Sequence, residues 1–172
     1  TDAGSFGQWL QRYLEFDYAD SYISPSLGCM GPGVPSAVAA KLAHPGRLVV
    51  AHAGDGGFLM TGQEMATAKQ FGVDIITIVY NNDGYNSIRM HQEAQYPGRP
   101  SGNDLINPDF AGLGSAYGAL GLKVSRDEEF LPALKQAMSA NRSALIEVLT
   151  DLEFVTPTAT LTELSGKPLQ GE

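Results

Sequence analysis

The sequence predicts an α/β domain built on a doubly wound, mainly parallel sheet with helices on both faces. Short apolar runs alternate with helix-like segments along most of the chain, and the two strongest runs each end in a glycine-rich turn. Strands of parallel sheets are typically continuous apolar runs of this kind, because helices cover both of their faces. With 172 residues, of which 43% are hydrophobic, the chain has the size of one domain.

The N-terminal part of the chain contains two predicted helices separated by a loop. Apolar side chains at helical spacing predict an amphipathic helix at residues 6–14. Residues 22–24 are at best a short strand. Residues 25–33 contain three glycines and two prolines, a composition typical of a loop whose backbone approaches a ligand or another chain closely. A helix rich in small residues is predicted at 34–43.

Two apolar strands, at residues 48–53 and 75–80, form the centre of the predicted sheet. The first ends in the sequence GDGG and the second in NNDG. In a right-handed βαβ unit both turns lie at the carboxyl edge of the sheet, where open α/β sheets bind ligands. We therefore expect Asp55 and Asn82 to face one site.

A crossover helix at residues 62–71 joins these two strands. Thr61 and Glu64 match the capping-box pattern, which predicts that the helix starts just beyond the GDGG turn. Gly72 is the expected C-terminal cap.

The remaining chain continues the alternation of helix and strand. The segment Asn107-Pro108-Asp109 is a strong helix start, and Gly121 is expected to close that helix. The predicted elements are helical segments at 85–93, 109–121 and 127–140 and strands at 122–125 and 144–149. We interpret residues 1–150 as one domain and residues 151–172, which are polar and contain prolines, as an extended C-terminal tail.

Composition excludes several classes of function. A formal charge of -8 and a pI of about 4.7 argue against nucleic acid and anionic membranes as partners. The sequence has no apolar run of the roughly 20 residues that a membrane span requires. The single cysteine, Cys29, excludes an internal disulfide and fits a reducing, cytoplasmic location. The chain lacks an initiator methionine, so we expect a segment of a longer polypeptide.

The two turns together predict a metal site that also binds a phosphorylated ligand. Mg²⁺ prefers about six oxygen ligands and often shares them with phosphate and water. The Asp55 carboxylate, the Asn82 side chain and the Gly84 carbonyl would supply three, and the Gly56 and Gly57 N–H groups would bind phosphate. Each turn alone is an ordinary loop signal. Their conjunction after two strands linked by one crossover is far more specific.

Three stretches of the sequence resemble those of a known family. The sequence from GDGG to NNDG looks like the diphosphate- and magnesium-binding motif of thiamine diphosphate-dependent enzymes. The sequence SLGCMGPGVPSAVAAKLAHP resembles the cofactor-pyrimidine loop and following helix of the acetolactate synthase and 2-oxoacid decarboxylase branch, and NPDF with AYG also matches. A dinucleotide-binding Rossmann domain is a weaker alternative, because GDGGFL lacks the G-x-G-x-x-G spacing.

The resemblance implies roles for individual residues. Asp55, Asn82 and the Gly84 carbonyl would ligate Mg²⁺. The Gly28 carbonyl would bind the amine of the aminopyrimidine, and Met30 would lie beneath the cofactor and hold its two rings in a bent conformation. Further implied contacts to the cofactor, mostly to its diphosphate, are Ser5, Gly54, Gly56, Gly57 and Tyr85.

The resemblance also implies what the chain lacks. In this family a glutamate of a separate pyrimidine-binding domain activates the cofactor, and no part of this chain resembles that domain. We therefore expect a partner domain from the same or a second subunit, a homodimer or homotetramer, and an inactive isolated chain. Acetolactate synthases of amino-acid biosynthesis carry a substrate-selecting tryptophan where this chain has His91. That histidine is a candidate substrate contact or a surface residue.

The implied function is binding of thiamine diphosphate and Mg²⁺ in an acetolactate synthase-like enzyme that decarboxylates 2-oxoacids and ligates the product to an acceptor. The alternatives are a 2-oxoacid decarboxylase or oxidase of the same family and a non-catalytic cofactor-binding fragment. The resemblance is also compatible with bound FAD in the full-length protein. The cofactor would serve as the electron sink, while the protein positions it and excludes water.

Overall fold

The computed structural model describes residues 1–18 and 20–166. Four strands form the main sheet, two more form a hairpin, and none of the described helices has the length and apolar character needed to cross a membrane. The helices are α1 (Phe6–Tyr13), α2 (Gly33–Ala43), α3 (Asp55–Thr61), α4 (Glu64–Gln70), α5 (Asn86–Gln95), α6 (Phe110–Ala116), α7 (Asp127–Met138) and α8 (Leu161–Ser165). The strands are β1 (Val50–Gly54), β2 (Ile76–Asn81), β3 (Leu120–Val124), β4 (Ala144–Leu149), β5 (Phe154–Thr156) and β6 (Ala159–Thr160).

The main sheet is parallel throughout and has the strand order β1-β2-β4-β3. Strands β1 and β2 are neighbours joined by α3 and α4, so their carboxyl ends lie side by side, with Gly54 opposite Tyr80. Strand β4 is the last of the four in sequence, yet it lies between β2 and β3. The predicted doubly wound, parallel α/β fold is confirmed.

Helices cover both faces of the sheet and form two hydrophobic cores. The first core lies beneath α2, α3, α4 and α6, where the Phe58 and Phe110 rings meet edge to face with centroids 5.5 Å apart. The second lies beneath α7, whose buried Ala133 and Ala137 pack on β3 and β4. Small residues on α7 let the helix approach the sheet closely, which keeps the β4 backbone in the interior.

The first crossover differs from its prediction. Helix α3 begins at Asp55 itself, not beyond the GDGG turn, and a break after Thr61 separates it from α4. The predicted capping box of Thr61 and Glu64 is wrong. Thr61 is the last residue of α3, where its hydroxyl donates to the Gly31 carbonyl, and α4 begins after Gln63 without a side-chain cap.

Two further boundary predictions are wrong. Residues 22–24 form no strand, and the Ile23 carbonyl accepts a hydrogen bond from the N-terminal amine of Thr1. Helix α6 ends at Ala116, because Gly118 makes the turn with a left-handed φ of 88°. Gly121 therefore lies inside β3 and does not close the helix.

The prediction of an extended tail is wrong for residues 154–165. These residues form the β5–β6 hairpin and α8, which packs against α5. Helix α8 is stabilised by a capping box between Thr160 and Glu163, and Val155 and Leu161 are buried. Residues 167–172 of the predicted tail lie outside the described residues, and the division into domains stays a prediction.

Gly121 provides a test of the packing of α6 on the sheet. A Cβ at this position would overlap the Ala111 carbonyl oxygen of α6. We expect Gly121→Ala to lower the free energy of unfolding by about 1–3 kcal/mol, the usual range for overpacking. Gly46→Ala is the matched control, because a Cβ there meets nothing within 4 Å. Urea denaturation of both variants measures the difference, and equal stabilities would contradict the close approach of α6 to β3.

Candidate functional site

A cavity of about 640 Å³ opens at the carboxyl edge of the sheet. Its walls come from the N-terminal segment, the start of α3, the loop after β2, the start of α5 and the end of β4. The cavity therefore lies where the sequence predicted the ligand site. Lining residues include Ser5, Met30, Gly54, Asp55, Gly56, Gly57, Asn82, Gly84 and Tyr85.

Asp55 is the centre of the polar wall of this cavity. Its side chain is buried, with 4% of the residue exposed. One carboxylate oxygen, Oδ1, accepts a hydrogen bond from the Gly56 N–H at 2.8 Å. The other, Oδ2, accepts from the backbone N–H groups of Asn82 at 3.2 Å and Gly84 at 3.3 Å. The structure thus brings the two predicted turns into direct contact.

Burial raises the pKa of the Asp55 carboxyl above its usual range. The donors around it act in the opposite direction, led by the Gly56 N–H and the Asn107 side chain, but desolvation is the larger effect. A cation next to this carboxyl would therefore favour its ionised form, because it offsets the cost of the buried negative charge.

The loop after β2 is fixed by a second backbone segment. Gly84 forms a bridge with Asp104, the Tyr85 N–H donates to the Asn103 carbonyl at 2.8 Å, and the Leu105 N–H donates to the Asp83 carbonyl at 2.8 Å. The loop is consequently held between the β2 end and residues 103–105, and the Gly84 backbone has one defined position.

The two glycines after Asp55 are needed for packing. A Cβ on Gly56 would overlap the Tyr85 ring, and one on Gly57 would overlap the Asp2 carboxylate. Asp2 is itself buried, and its Oδ1 accepts from the N–H groups of Ala3 and Gly31. The GDGG motif thus lets α3 begin directly against the N-terminal segment and the loop after β2.

Some predicted site residues lie elsewhere. Gly28 is exposed and lines a separate hollow of about 180 Å³ beside the N-terminal segment. Its φ of 64° lies in the left-handed region that favours glycine. His91 lies on the exposed side of α5 and lines neither cavity. The structure does not bring His91 together with Asp55 and Asn82.

Several residues at the site were not predicted. The Phe6 and Tyr80 rings stack with centroids 5.1 Å apart at the cavity wall, and the Tyr80 hydroxyl lies 3.0 Å from His52 Nδ1. Phe154 of the C-terminal hairpin also lines the cavity. Asn107 donates to Asp55, although its sequence context indicated only a helix start. The position of Tyr80 at a strand end was a usable signal, whereas Phe154 lies in a segment with no strand pattern.

The oxygen atoms of the polar wall are of the kind that bind a hard divalent cation. Asp55 offers a carboxylate, Asn82 an amide oxygen that accepts from the Gly84 N–H at 3.2 Å, and Gly84 a carbonyl. All three are oxygen ligands of the kind that Mg²⁺ prefers. Within residues 1–18 and 20–166, no group of three or more His, Cys, Asp or Glu side chains could hold a metal alone. A metal at this wall would therefore complete its shell with ligand and water oxygens.

The fold and the cavity together define a ligand-binding α/β domain with an oxygen-rich site at the carboxyl edge of a parallel sheet. Residues 2–148 match the family model described as thiamine pyrophosphate enzyme, C-terminal TPP binding domain. The chain belongs to this family, whose ligand is also called thiamine diphosphate.

The chain is similar to acetolactate synthases in sequence. It is 36% identical over 151 residues to the acetolactate synthase large subunit of Lactococcus lactis. The aligned region covers 87% of this chain and 26% of that protein. It is 31% identical over 170 residues to the probable large subunit of Methanocaldococcus jannaschii, covering 95% of this chain and 29% of that protein. The chain thus spans between a quarter and a third of the length of these relatives.

A solved structure with the same fold is the thiamine diphosphate-dependent 4-hydroxybenzoylformate decarboxylase of Rhodococcus jostii RHA1. The two superpose with a TM-score of 0.75 at 33% sequence identity, over 80% of this chain and 26% of the decarboxylase. The match supports both the fold and the family.

His52 below the cavity gives a prediction for pH dependence. Burial, followed by the N-terminal charge, lowers its pKa from 6.5 to about 4. A lowered folded-state pKa stabilises the protein above pH 6.5, and this contribution is lost as the pH falls from 6.5 to about 4. Between pH 6.5 and 4, we expect the free energy of unfolding of His52→Gln to fall by roughly 1–3 kcal/mol less than that of the wild type. Urea denaturation at several pH values measures it, and parallel pH profiles for variant and wild type would refute it.

Proposed function

We propose that this chain binds thiamine diphosphate through Mg²⁺ and forms the diphosphate-binding part of an acetolactate synthase-like enzyme that acts on 2-oxoacids. The convergence of Asp55, Asn82 and Gly84 at the wall of one cavity carries the proposal. These three groups come from two turns that the family motif joins, and the family binds this cofactor.

The metal ligands in this proposal are the Asp55 carboxylate, the Asn82 side-chain oxygen and the Gly84 carbonyl. The Gly84 carbonyl accepts a hydrogen bond from the Asn86 N–H at 3.0 Å, and a carbonyl oxygen has a second lone pair that could bind a metal. A divalent cation would also screen the acidic chain, with its charge of -8, from a negatively charged diphosphate.

The diphosphate would be bound by groups near the start of α1 and α3. Ser5 lines the cavity, and its hydroxyl can donate a hydrogen bond to an anion there. Gly54 and Gly57 bring backbone to the cavity wall. The Gly56 N–H already donates to Asp55, so in this proposal Gly56 contributes space for the Tyr85 ring more than a hydrogen bond.

The remainder of the cofactor would extend towards the loop at residues 28–31. Met30 lines the cavity and is half-buried, so it can support the rings of the cofactor, with Tyr85 on another wall. The Gly28 carbonyl is the proposed partner of the aminopyrimidine amine. When bound, thiamine diphosphate supplies the electron sink for cleavage next to the carbonyl of a 2-oxoacid. The chain's own groups fix its position and exclude water from the buried wall.

The assembly around this chain is part of the proposal. We infer that a pyrimidine-binding domain of the same or a second subunit completes the site, in a homodimer or homotetramer. The matched segment is 26% to 29% of the length of these relatives, which leaves room for such a domain. A cytoplasmic location and FAD in the full-length protein remain predictions.

A 2-oxoacid decarboxylase without carboligation is the second candidate function. It is favoured by the structural match to a decarboxylase at 33% identity, which is close to the 36% shared with the Lactococcus acetolactate synthase. Both candidates use the same metal and diphosphate site, so they differ only in the fate of the product.

The metal assignment predicts that Asp55→Ala abolishes binding of thiamine diphosphate. The substitution removes the only carboxylate among the proposed ligands, and its effect should exceed the roughly 10- to 100-fold loss of affinity that is typical when a group that orients a ligand is removed. Isothermal titration calorimetry of the intact protein with and without MgCl₂ measures the affinity. Asp74→Ala is the control, because Asp74 is exposed and remote from the cavity lining. Retained Mg²⁺-dependent affinity in the Asp55 variant would refute the assignment.

The two candidate functions predict different products from pyruvate. An acetolactate synthase-like enzyme forms acetolactate, whereas a decarboxylase releases acetaldehyde. We expect acetolactate as the major product of the intact protein with thiamine diphosphate and MgCl₂, and no product after chelation of the metal. Product analysis by NMR distinguishes the two, and acetaldehyde alone would favour the second candidate.

A further inference from the structure

We propose that Asn107, supported by Asn81 and Glu147, is a positioning residue that holds the Asp55 carboxylate in place for the metal. This inference rests on the proposed Mg²⁺ site and extends it to residues that would not touch the metal. Asn107 lies in the irregular segment before α6, and Glu147 lies in the central strand β4.

The four side chains form a continuous row of short hydrogen bonds. Asn107 Nδ2 donates to Asp55 Oδ2 at 2.8 Å and to Asn81 Oδ1 at 2.8 Å. Asn81 Nδ2 in turn donates to Glu147 Oε1 at 2.8 Å. Asp55, Asn81 and Glu147 are all buried, with 4%, 7% and 1% exposed, so water competes little for these bonds.

Glu147 determines which way the amide groups of Asn81 and Asn107 are oriented. A carboxylate oxygen accepts, so the amide group of Asn81 that faces Glu147 must be its nitrogen. The oxygen of Asn81 then faces Asn107 and also accepts from the Asp83 N–H at 3.2 Å. The amide nitrogen of Asn107 must therefore point to Asn81, and its second hydrogen reaches Asp55. Glu147 itself is held by Lys123 Nζ at 3.5 Å.

This arrangement restrains the Asp55 carboxylate. Oδ2 accepts from Asn107, from the Asn82 N–H and from the Gly84 N–H, while among the residues that the structure describes Gly56 alone donates to Oδ1. Three donors from two loops fix Oδ2 and hence the plane of the carboxylate, and Oδ1 keeps the greater unused capacity. Groups that orient a metal ligand in this way typically change metal affinity about 10- to 100-fold when removed.

Asn107 is poorly explained as a purely structural residue. Its own Oδ1 is buried and has no hydrogen-bond partner within the described part of the chain. A buried acceptor without a partner destabilises a fold, so its presence calls for an explanation. In this proposal the explanation is that the two bonds of Nδ2, to Asp55 and Asn81, hold Asn107 in this orientation.

The test measures the Mg²⁺ concentration that half-saturates thiamine diphosphate binding, by titrating MgCl₂ into the intact protein at saturating cofactor. We expect this value to rise about 10- to 100-fold in Asn107→Asp, which keeps the shape but replaces both donors, and in Asn107→Ala. Glu147→Gln keeps an acceptor for Asn81 and should stay within about twofold of wild type, whereas Glu147→Leu should behave like the Asn107 variants.

Controls separate positioning from folding and from the proposed function. Gln136→Leu removes an exposed amide on α7 and should leave the Mg²⁺ response unchanged. Melting temperatures without ligand identify the folded variants, and if Asn107→Asp fails to fold, Asn107→Ala and the Glu147 pair decide. A wild-type Mg²⁺ response in folded Asn107 variants, with Asp55→Ala still unable to bind, overturns this inference alone. Absence of Mg²⁺-dependent binding in the wild-type protein overturns the proposed function.

Discussion

The burial of one carboxylate constrains the whole carboxyl edge of this domain. Asp55 is only 4% exposed and would be strongly disfavoured as an anion without donors around it. Four donors meet it, from the start of α3, the loop after β2 and the segment before α6. Each of these segments is in turn fixed by the sheet or by backbone pairing. The position of the carboxylate therefore depends on the packing of the entire edge.

Much of this edge could be predicted because its signals are local. GDGG and NNDG each follow an apolar strand, and the crossover between them has the length of one helix, so the chirality of βαβ units places Asp55 and Asn82 together. The structure adds that Gly56 and Gly57 are required by neighbours distant in sequence, the Tyr85 ring and the Asp2 carboxylate. Those contacts leave no periodic pattern in the sequence.

The wrong predictions have physical causes of the same kind. The capping box at Thr61 failed because Thr61 still belongs to α3, and α4 starts after a break with Gln63 at its N-cap position. The helix end at Gly121 failed because Gly118 takes the left-handed conformation first. The C-terminal hairpin was missed because its strands are two and three residues long, too short for an alternating pattern to be visible. Asn107 was read as part of a helix start, since nothing near it in sequence indicates Asp55.

The central location of β4 has a consequence for the order of folding. Strand β4 is the last strand of the main sheet to be synthesised, yet it pairs with both β2 and β3. The hydrogen bonds behind the site span 52 residues from Asp55 to Asn107 and 66 from Asn81 to Glu147. Closing such long loops is slow compared with forming the local βαβ unit. We therefore expect the two turns to meet early in folding, whereas the bond from Asn81 to Glu147 forms only when β4 has paired with β2.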